Sequence, residues 1–466
     1  MDGNRIDEKG NFIALRSLEI LRRMDPGKLT RFIISDALKL GATDVVAEIY
    51  IGRERRIKFA NNEVVVSEER DERSAEIFVA IKEKRASVST DDLSIQSIRE
   101  AVRQAVSLAK MSEPAEIYAE LPKGPFKYDK SLLRAGKVSG EPEKLIEHVE
   151  AAVNAALAEG AKRAAGTLIY SSGKTWLRTS GKAYGVASEA TIEISVRALA
   201  SEDATGHFVS IAADDKDFDP EEAGKRAGEI AKMALNPIEG EPGEYETLLG
   251  PMVFAHLAEH VGDASSAFYV DAGLSFLKDK LGQQVSSEIF SLIDDPTIPK
   301  TYGSAPFDDE GIPTRRNVII DRGVLKTYLH NSTTAKKFGA ETTANAGLII
   351  PTPFNLIVEG GGKSFEKLLS SIDDGIYVTN DWYLRYQNYR TGDFSTIPRD
   401  GLFRIKRGSI ESSIKGLRIS DNMLRILKGI RELGRERYWI SWWEVETPVY
   451  APHAIIEKVN FTKSTI

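Results

Sequence analysis

His256, Glu259 and His260 stand in the order His-x-x-Glu-His and form the sharpest chemical candidate in the sequence. On an α-helix, positions i and i+4 share a face, so both imidazoles can address one metal ion with the carboxylate beside them. The order is that of the inverted zinc motif. Zinc held this way lowers the pKa of a bound water, and Glu259 is then placed to act as base. That chemistry also needs a third protein ligand and an open water position, and the sequence does not identify the ligand. The competing reading is of two ordinary helix histidines, partly exposed or hydrogen-bonded.

The other candidates are weaker. Asp294-Asp295-Pro296 and Asp308-Asp309-Glu310 gather carboxylates, but the alternating spacing of a calcium loop is absent and turn chemistry accounts for them better. Gly360-Gly361-Gly362-Lys363-Ser364 ends like a phosphate loop. The first glycine of that motif would fall on Ile357, so the segment reads as a turn after a strand at Asn355–Glu359. Tyr438, Trp439, Trp442 and Trp443 cluster aromatics near the end of the chain, and an interface is the favoured reading of them.

Composition bounds the class of protein. The chain has 466 residues, enough for two or three domains, with 42% hydrophobic and 28% charged residues as in soluble globular proteins. It has no cysteine, which rules out disulfides, thiolate zinc sites and cysteine nucleophiles. No apolar run approaches a membrane span and no secretory segment is evident at the N-terminus, so a cytoplasmic location without membrane contact is expected. A net charge of -7 disfavours nucleic acid as the main ligand, because DNA affinity rests largely on Lys and Arg. The locally basic stretch from Arg399 to Arg437 reads as a solvated helix face.

Stepping along the chain, helical spacing covers Phe12–Arg23, and Asp25-Pro26 opens a helix ending before Gly41. Short strands then alternate from Val45 to Val88, with turns at Asn61-Asn62, Asp71-Glu72 and Glu83-Lys84. Asp92 caps a helix over Ile95–Lys110. The order recurs: a helix over Pro142–Glu159, strands at Gly166–Ser171, Lys174–Thr179 and Glu189–Leu199, and a helix from Asp219-Pro220 to Leu235. Helix, meander, helix, twice, points to an internal duplication. Asn236–Gly243, with two Pro and two Gly among acidic residues, is the expected domain boundary, giving domains at 1–236 and 244–466. Beyond it come helices over Pro251–Val261, Leu274–Leu281 and Asn422–Leu433 in a region otherwise rich in short strands. A hairpin falls at Val318–Leu325, and a short helix runs from Thr333 to Phe338, capped by Asn331-Ser332 and stopped by Gly339. Segregated helices and strands predict an α+β fold: an N-terminal domain of repeated helix–meander–helix units and a strand-rich C-terminal domain.

The stretch Ala305–Phe338, together with Thr391-Gly392-Asp393-Phe394-Ser395 and Ser89-Thr90-Asp91-Asp92-Leu93-Ser94, resembles the TldD/PmbA family. Its members have been called modulators of DNA gyrase and act in processing microcin-type peptides. The resemblance implies that Asn388, Thr391, Gly392, Asp393 and Phe394 belong to a substrate-facing interior. Glycine in a strand lets another backbone approach, and Asp393 can accept N–H bonds from an extended peptide. The alternative is a capped turn that fixes the domain core.

The resemblance also bears on the histidines. The catalytic branch of the family carries His-Glu-x-x-x-His on this helix, with a downstream cysteine as third ligand. With His256 on the first His, the glutamate position is Leu257, the second His is Val261, and the cysteine falls near Trp439–Val445, where there is none. The expectation is therefore a non-catalytic PmbA (TldE)-like subunit with no cofactor of its own, partnered by a zinc-bearing TldD-like subunit and sharing a chamber for unfolded peptides. A homodimer is left open. The alternatives are a zinc metallopeptidase in its own right, using His256 and His260 with Glu259 as base, and a gyrase-modulating binding protein.

Overall fold

The computed structural model describes residues 24–464. The helix expected at Phe12–Arg23 lies outside them. The N-terminal part consists of α1 (Pro26–Lys39), β1 (Asp44–Ala60), β2 (Glu63–Ile81), β3 (Lys84–Thr90) and α2 (Ile95–Met111). These are followed by α3 (Pro142–Ala158), β4 (Arg163–Thr179), β5 (Tyr184–Leu199), β6 (Thr205–Ala212) and α4 (Pro220–Met233). The hydrogen-bonded order is β3-β2-β1-β4-β5-β6. Two three-stranded meanders thus join through their first strands, each preceded and followed by a helix.

The caps explain where these helices start. Asp25 and Asp219 each accept a backbone N–H, from Lys28 and Glu222, with proline following in the first turn. At α2 the cap is Ser94 rather than Asp92; Asp92 instead accepts the Ser94 backbone N–H at 2.9 Å. Two expected breaks are absent. Strand β2 runs unbroken through Asp71-Glu72, and β4 joins the two strands expected at Gly166–Ser171 and Lys174–Thr179. Polar residues within a long, half-solvated strand had the composition of turns but not the geometry.

By compactness the chain forms two units. One comprises the residues up to Gly52, Asp71–Phe126 and Lys174–Val186; the other comprises Arg53–Arg70, Lys127–Gly173 and everything from Ala187. The long strands β1, β2, β4 and β5 each contribute to both. The first unit has its own core, in which Leu29, Ile33 and Ala37 of α1 and Ile98, Val102 and Val106 of α2 pack with Val45, Ile49, Ile77 and Val79. In the second unit α3 and α4 approach closely because Gly224 faces Ala152, whose carbonyl oxygen would lie 2.0 Å from any Cβ placed there.

The second unit also holds the C-terminal sheet. Its strands are β7 (Ile238–Glu239), β8 (Gly243–Leu249), β9 (Leu292–Asp294), β10 (Asn317–Asp321), β11 (Val324–Leu325) and β12 (Leu356–Val358). The longer ones follow: β13 (Asp374–Asn388), β14 (Asp393–Lys406), β15 (Ser409–Lys415), β16 (Leu417–Asn422), β17 (Ile430–Trp442) and β18 (Val445–Lys463). The pairings β18-β8-β13-β14-β16-β18 return to their start, so this part of the sheet closes into a small barrel. The fold is α+β with a sheet-rich C-terminal region.

Helix α5 (Pro251–Ala264) carries the histidines. It is buried almost throughout, from Met252 and Phe254 to Val261, although His256, Glu259, His260 and Asp263, at i, i+3, i+4 and i+7, share one face. The expected hairpin forms as β10–β11, with Arg322 and Gly323 both at positive φ in a two-residue turn. A capping box between Asn331 and Thr334 opens the helix Ser332–Phe338, and Gly339 closes it in the left-handed conformation. Two expected helices differ. Leu274–Leu281 is a run of turns, because the Ser275 hydroxyl donates to Ala264 O at 2.6 Å and accepts from Leu277 N at 3.0 Å, while Leu274 and Leu281 stay exposed. The helix from Asn422 covers only Met423–Lys428. After Gly429 the chain enters β17, so the basic stretch Arg399–Arg437 lies mostly on strands and not on a helix face.

Candidate functional site

His256 sits at the centre of a buried polar network, 1% exposed. Its Nδ1 donates to the Asp381 carboxylate at 3.1 and 3.2 Å. Its Nε2 faces Glu444 Oε2 at 3.7 Å. Each acid is delivered by a local irregularity. Asp381 lies in β13 where its register with β14 slips, both before Asn380 and after Trp382, and Tyr383 beside it adopts a positive φ of 59°. Glu444 occupies the two-residue turn between β17 and β18, fixed by the Tyr383 backbone N–H donating to its Oε1 at 2.9 Å. The Thr396 hydroxyl completes the Asp381 environment with a 2.7 Å hydrogen bond.

The electrostatics are those of a buried imidazole beside carboxylates. Burial alone would lower the His256 pKa, but Asp381, through its charge and hydrogen bond, then Glu259 and Glu444, raise it above its ordinary value. His260, one turn on, goes the other way: burial, then the His256 charge and Arg385, bring it down to about 3, so it stays neutral. Its ring packs against that of His256 at 5.0 Å and against Tyr386 at 5.4 Å. Glu259, 6% exposed, accepts the Thr447 backbone N–H at 2.6 Å. Burial and the nearby Asp263 push its pKa up to about 8. Asp263 itself is raised to about 6 by burial and Glu446.

The residues suit ion pairing better than zinc. Both nitrogens of His256 are directed at carboxylates, Glu259 is tied to a backbone amide, and Leu257 and Val261 present buried apolar side chains on the helix. Among the described residues, no three His, Cys, Asp or Glu side chains come together to hold a metal ion. The segment near Trp439–Val445 does sit against His256, as the family comparison required, and what it offers there is Glu444.

Asn388, Thr391, Gly392, Asp393 and Phe394 form the turn between β13 and β14. Asn388 Oδ1 accepts from Arg390 N at 3.0 Å. Gly392 has a φ of 84°, the left-handed conformation that favours glycine. Asp393 accepts from the Thr391 hydroxyl at 2.5 Å and from Asn422 Nδ2 at 2.8 Å. Phe394 is buried. The acidic groups elsewhere are turn and loop staples. Asp308 accepts the backbone N–H groups of Glu310, Ile312 and Ala346, and Asp294 those of Phe354 and Asn355. Trp442, expected at an interface, is 4% exposed and packs against His207 and Trp382; Trp443 is exposed.

Sequence reading missed Asp381 and Glu444 as partners of His256. The available signal was Asn380-Asp381, an amide and an acid following the apolar run Ile376-Tyr377-Val378 of the strand. It also missed a Ser–His pair, Ser195 Oγ and His207 Nε2 at 2.7 Å. This pair is not arranged for nucleophilic chemistry. Asn380 Oδ1 accepts from Asp381 N at 2.9 Å, so its amide N–H faces His207 Nδ1, also at 2.9 Å. The imidazole proton therefore lies on Nε2 and points at Ser195, leaving nothing to take the serine proton.

Comparison with known proteins places this geometry in a family. Residues 242–463 match the model of the PmbA/TldA metallopeptidase C-terminal domain, and residues 47–109 that of the PmbA/TldA metallopeptidase domain 1. A metalloprotease of Methanocaldococcus jannaschii is 36% identical over 43% of this chain and 46% of its own length. In that alignment, then, the chain spans about half of its relative. Metalloprotease PmbA of Escherichia coli O157:H7 is 27% identical over 88% of this chain and 92% of its own. Among solved structures, a protein of Thermotoga maritima described as a modulator of a DNA gyrase has a TM-score of 0.80 at 26% identity, covering 93% of this chain and 99% of that one. TldE of Thermococcus kodakarensis shares the fold, with a TM-score of 0.81 at 21% identity over 93% of this chain and 100% of its own. The chain belongs to the PmbA/TldD family.

Proposed function

We propose that this chain is a TldE/PmbA-type subunit that carries no zinc chemistry of its own and works beside a TldD-type metalloprotease partner on unfolded peptides. The observation that carries this reading is the His256 network. At the helix position where the family's catalytic branch binds zinc, a histidine is held between Asp381 and Glu444, with Leu257 and Val261 in place of the glutamate and second histidine. An imidazole paired in this way supports the fold and activates no water. The partner supplies the metal-bound water, and this chain supplies walls and backbone donors for an extended peptide. The Asn388–Phe394 turn belongs to those walls in this reading. It contributes through its backbone, since both Asp393 oxygens are engaged within the turn.

Elemental analysis tests the metal half of the proposal. Purified without chelators, the chain is expected to hold well under one zinc per molecule. About one zinc per chain, lost in a His256→Ala, His260→Ala variant, would instead establish a zinc site using these two histidines with Glu259 as base.

A further inference from the structure

A cavity of about 760 Å³ opens in the second unit between α4, the short helix Phe365–Ser370, and strands β6, β13, β17 and β18. Its walls include Phe208, Ile230, Met233 and Phe365. Two polar side chains at its inner end are each only 6% exposed, Tyr377 and His453. Neither the Tyr377 hydroxyl nor a ring nitrogen of His453 has a hydrogen-bond partner among the described residues. Their polar atoms open onto the cavity instead of being sealed in the core, so a ligand that enters it can pair both.

The third polar group is Arg226. Its guanidinium lies over the rings of Phe208 at 5.3 Å and Tyr438 at 4.6 Å, donates to the Tyr438 hydroxyl at 2.8 Å and contacts Glu222 at 2.7 Å. Its charge reaches both unpaired groups. After burial it is the largest influence lowering His453, which falls to about 3 and so is a neutral imidazole with one N–H to give. It also works against the burial that raises Tyr377, which remains a protonated phenol. The inner end therefore offers a cation, a phenolic O–H and an imidazole N–H, all donors. The remaining charged lining is mixed, with Glu229 and Glu366 beside Lys225, Lys232 and Arg435.

We infer that this cavity binds the C-terminal carboxylate of a short peptide. The carboxylate meets Arg226, Tyr377 and His453, an apolar last side chain lies among Phe208, Phe365 and Met233, and the peptide's N–H and ammonium groups face the carboxylates of Glu229 and Glu366. The volume lies in the range of small-ligand pockets. A carboxylate suits a site made of donors, and charge-assisted bonds are the strong ones. The inference concerns this chain alone and does not depend on a partner or on zinc.

Isothermal titration of the purified chain with the dipeptide Ala-Phe, its C-terminal amide Ala-Phe-NH2, and 3-phenylpropanoate tests it. Ala-Phe is expected to bind one to one, with the amide and 3-phenylpropanoate each weaker by roughly tenfold or more, the effect of losing a bond to a charged group. Tyr377→Phe removes only an unpaired hydroxyl. It should leave the melting temperature unchanged and weaken Ala-Phe about fivefold to tenfold. Arg226→Met should abolish the preference for the free acid. Absence of Ala-Phe binding, equal affinity for acid and amide, or unchanged affinity in Tyr377→Phe would overturn the site. Tight binding of 3-phenylpropanoate would overturn its assignment to peptides.

Discussion

Replacing Glu259 by glutamine isolates the cost of the buried acid on the histidine helix. Glu259 is raised from 4.5 to about 8, with burial as the main cause. The folded chain therefore holds this proton at neutral pH, while the unfolded chain releases it. For a carboxyl with a raised folded pKa, stability is lost as pH climbs from the unfolded value towards the folded one. Between pH 4.5 and 8 the full span is about 5 kcal/mol at most, and at pH 7 about 3 kcal/mol of it has been lost. Glutamine does not ionise, is nearly isosteric and keeps an oxygen for the Thr447 N–H. Glu259→Gln should thus be close to neutral at pH 4.5 and more stable than the parent by roughly 1–3 kcal/mol at pH 7.5. Urea denaturation of both proteins at the two pH values reads this directly. An equal change at both pH values, or a loss at pH 7.5, would show that Glu259 is ionised and well solvated or paired in the folded chain, and would refute the reasoning.

Further outcomes follow from the same network and its surroundings. His256→Ala leaves Asp381, fully buried, without its histidine partner, and should destabilise by about 3–5 kcal/mol in urea denaturation, with Asp381→Asn in the same chain recovering part of the loss. Trp442→Ala should lower stability by about 3–5 kcal/mol, because the side chain is a core residue packed on His207 and Trp382. His207, His260, His330 and His453 are all pushed down by burial, to between about 3 and 4. The unfolded chain binds protons that these four refuse, so they withdraw stability as pH drops below about 6.5, against the gain from the raised carboxyls Glu259, Asp263 and Asp294; His453→Gln should therefore flatten the acid side of a melting-temperature profile. His256 has the opposite sign: its contribution is present below pH 6.5 and fades as pH rises through its raised folded pKa.

The elements that announced themselves were those with local chemistry. Asp25-Pro26 and Asp219-Pro220 start helices through side-chain caps, Arg322-Gly323 turns a hairpin, and Asn331 and Gly339 bracket a short helix. The repeated helix–meander–helix order was legible too, because it is written in element types rather than residue identity. Asp71-Glu72 misled because polarity alone does not turn a chain, and in β2 these residues sit in a strand that continues. Leu274–Leu281 misled because its apolar spacing was helical while the Ser275 side chain satisfied the backbone locally. The candidate site was half legible. His256, Glu259 and His260 were visible as a pattern on one helix. Their roles depend on Asp381 and Glu444, 125 and 188 residues later in sequence, placed by a bulge and a hairpin turn that only the assembled sheet defines.

The central claim is that this chain lacks hydrolytic chemistry and completes a partner that has it. A cleavage assay on an unfolded peptide, run with this chain alone, with a TldD-type partner alone and with the mixture, and followed by size-exclusion, measures that most directly. No cleavage by this chain is expected, with a heteromeric peak in the mixture and cleavage by the mixture beyond that of the partner alone. Metal-dependent cleavage by this chain alone, or partner activity unchanged by its addition with no complex formed, would contradict it.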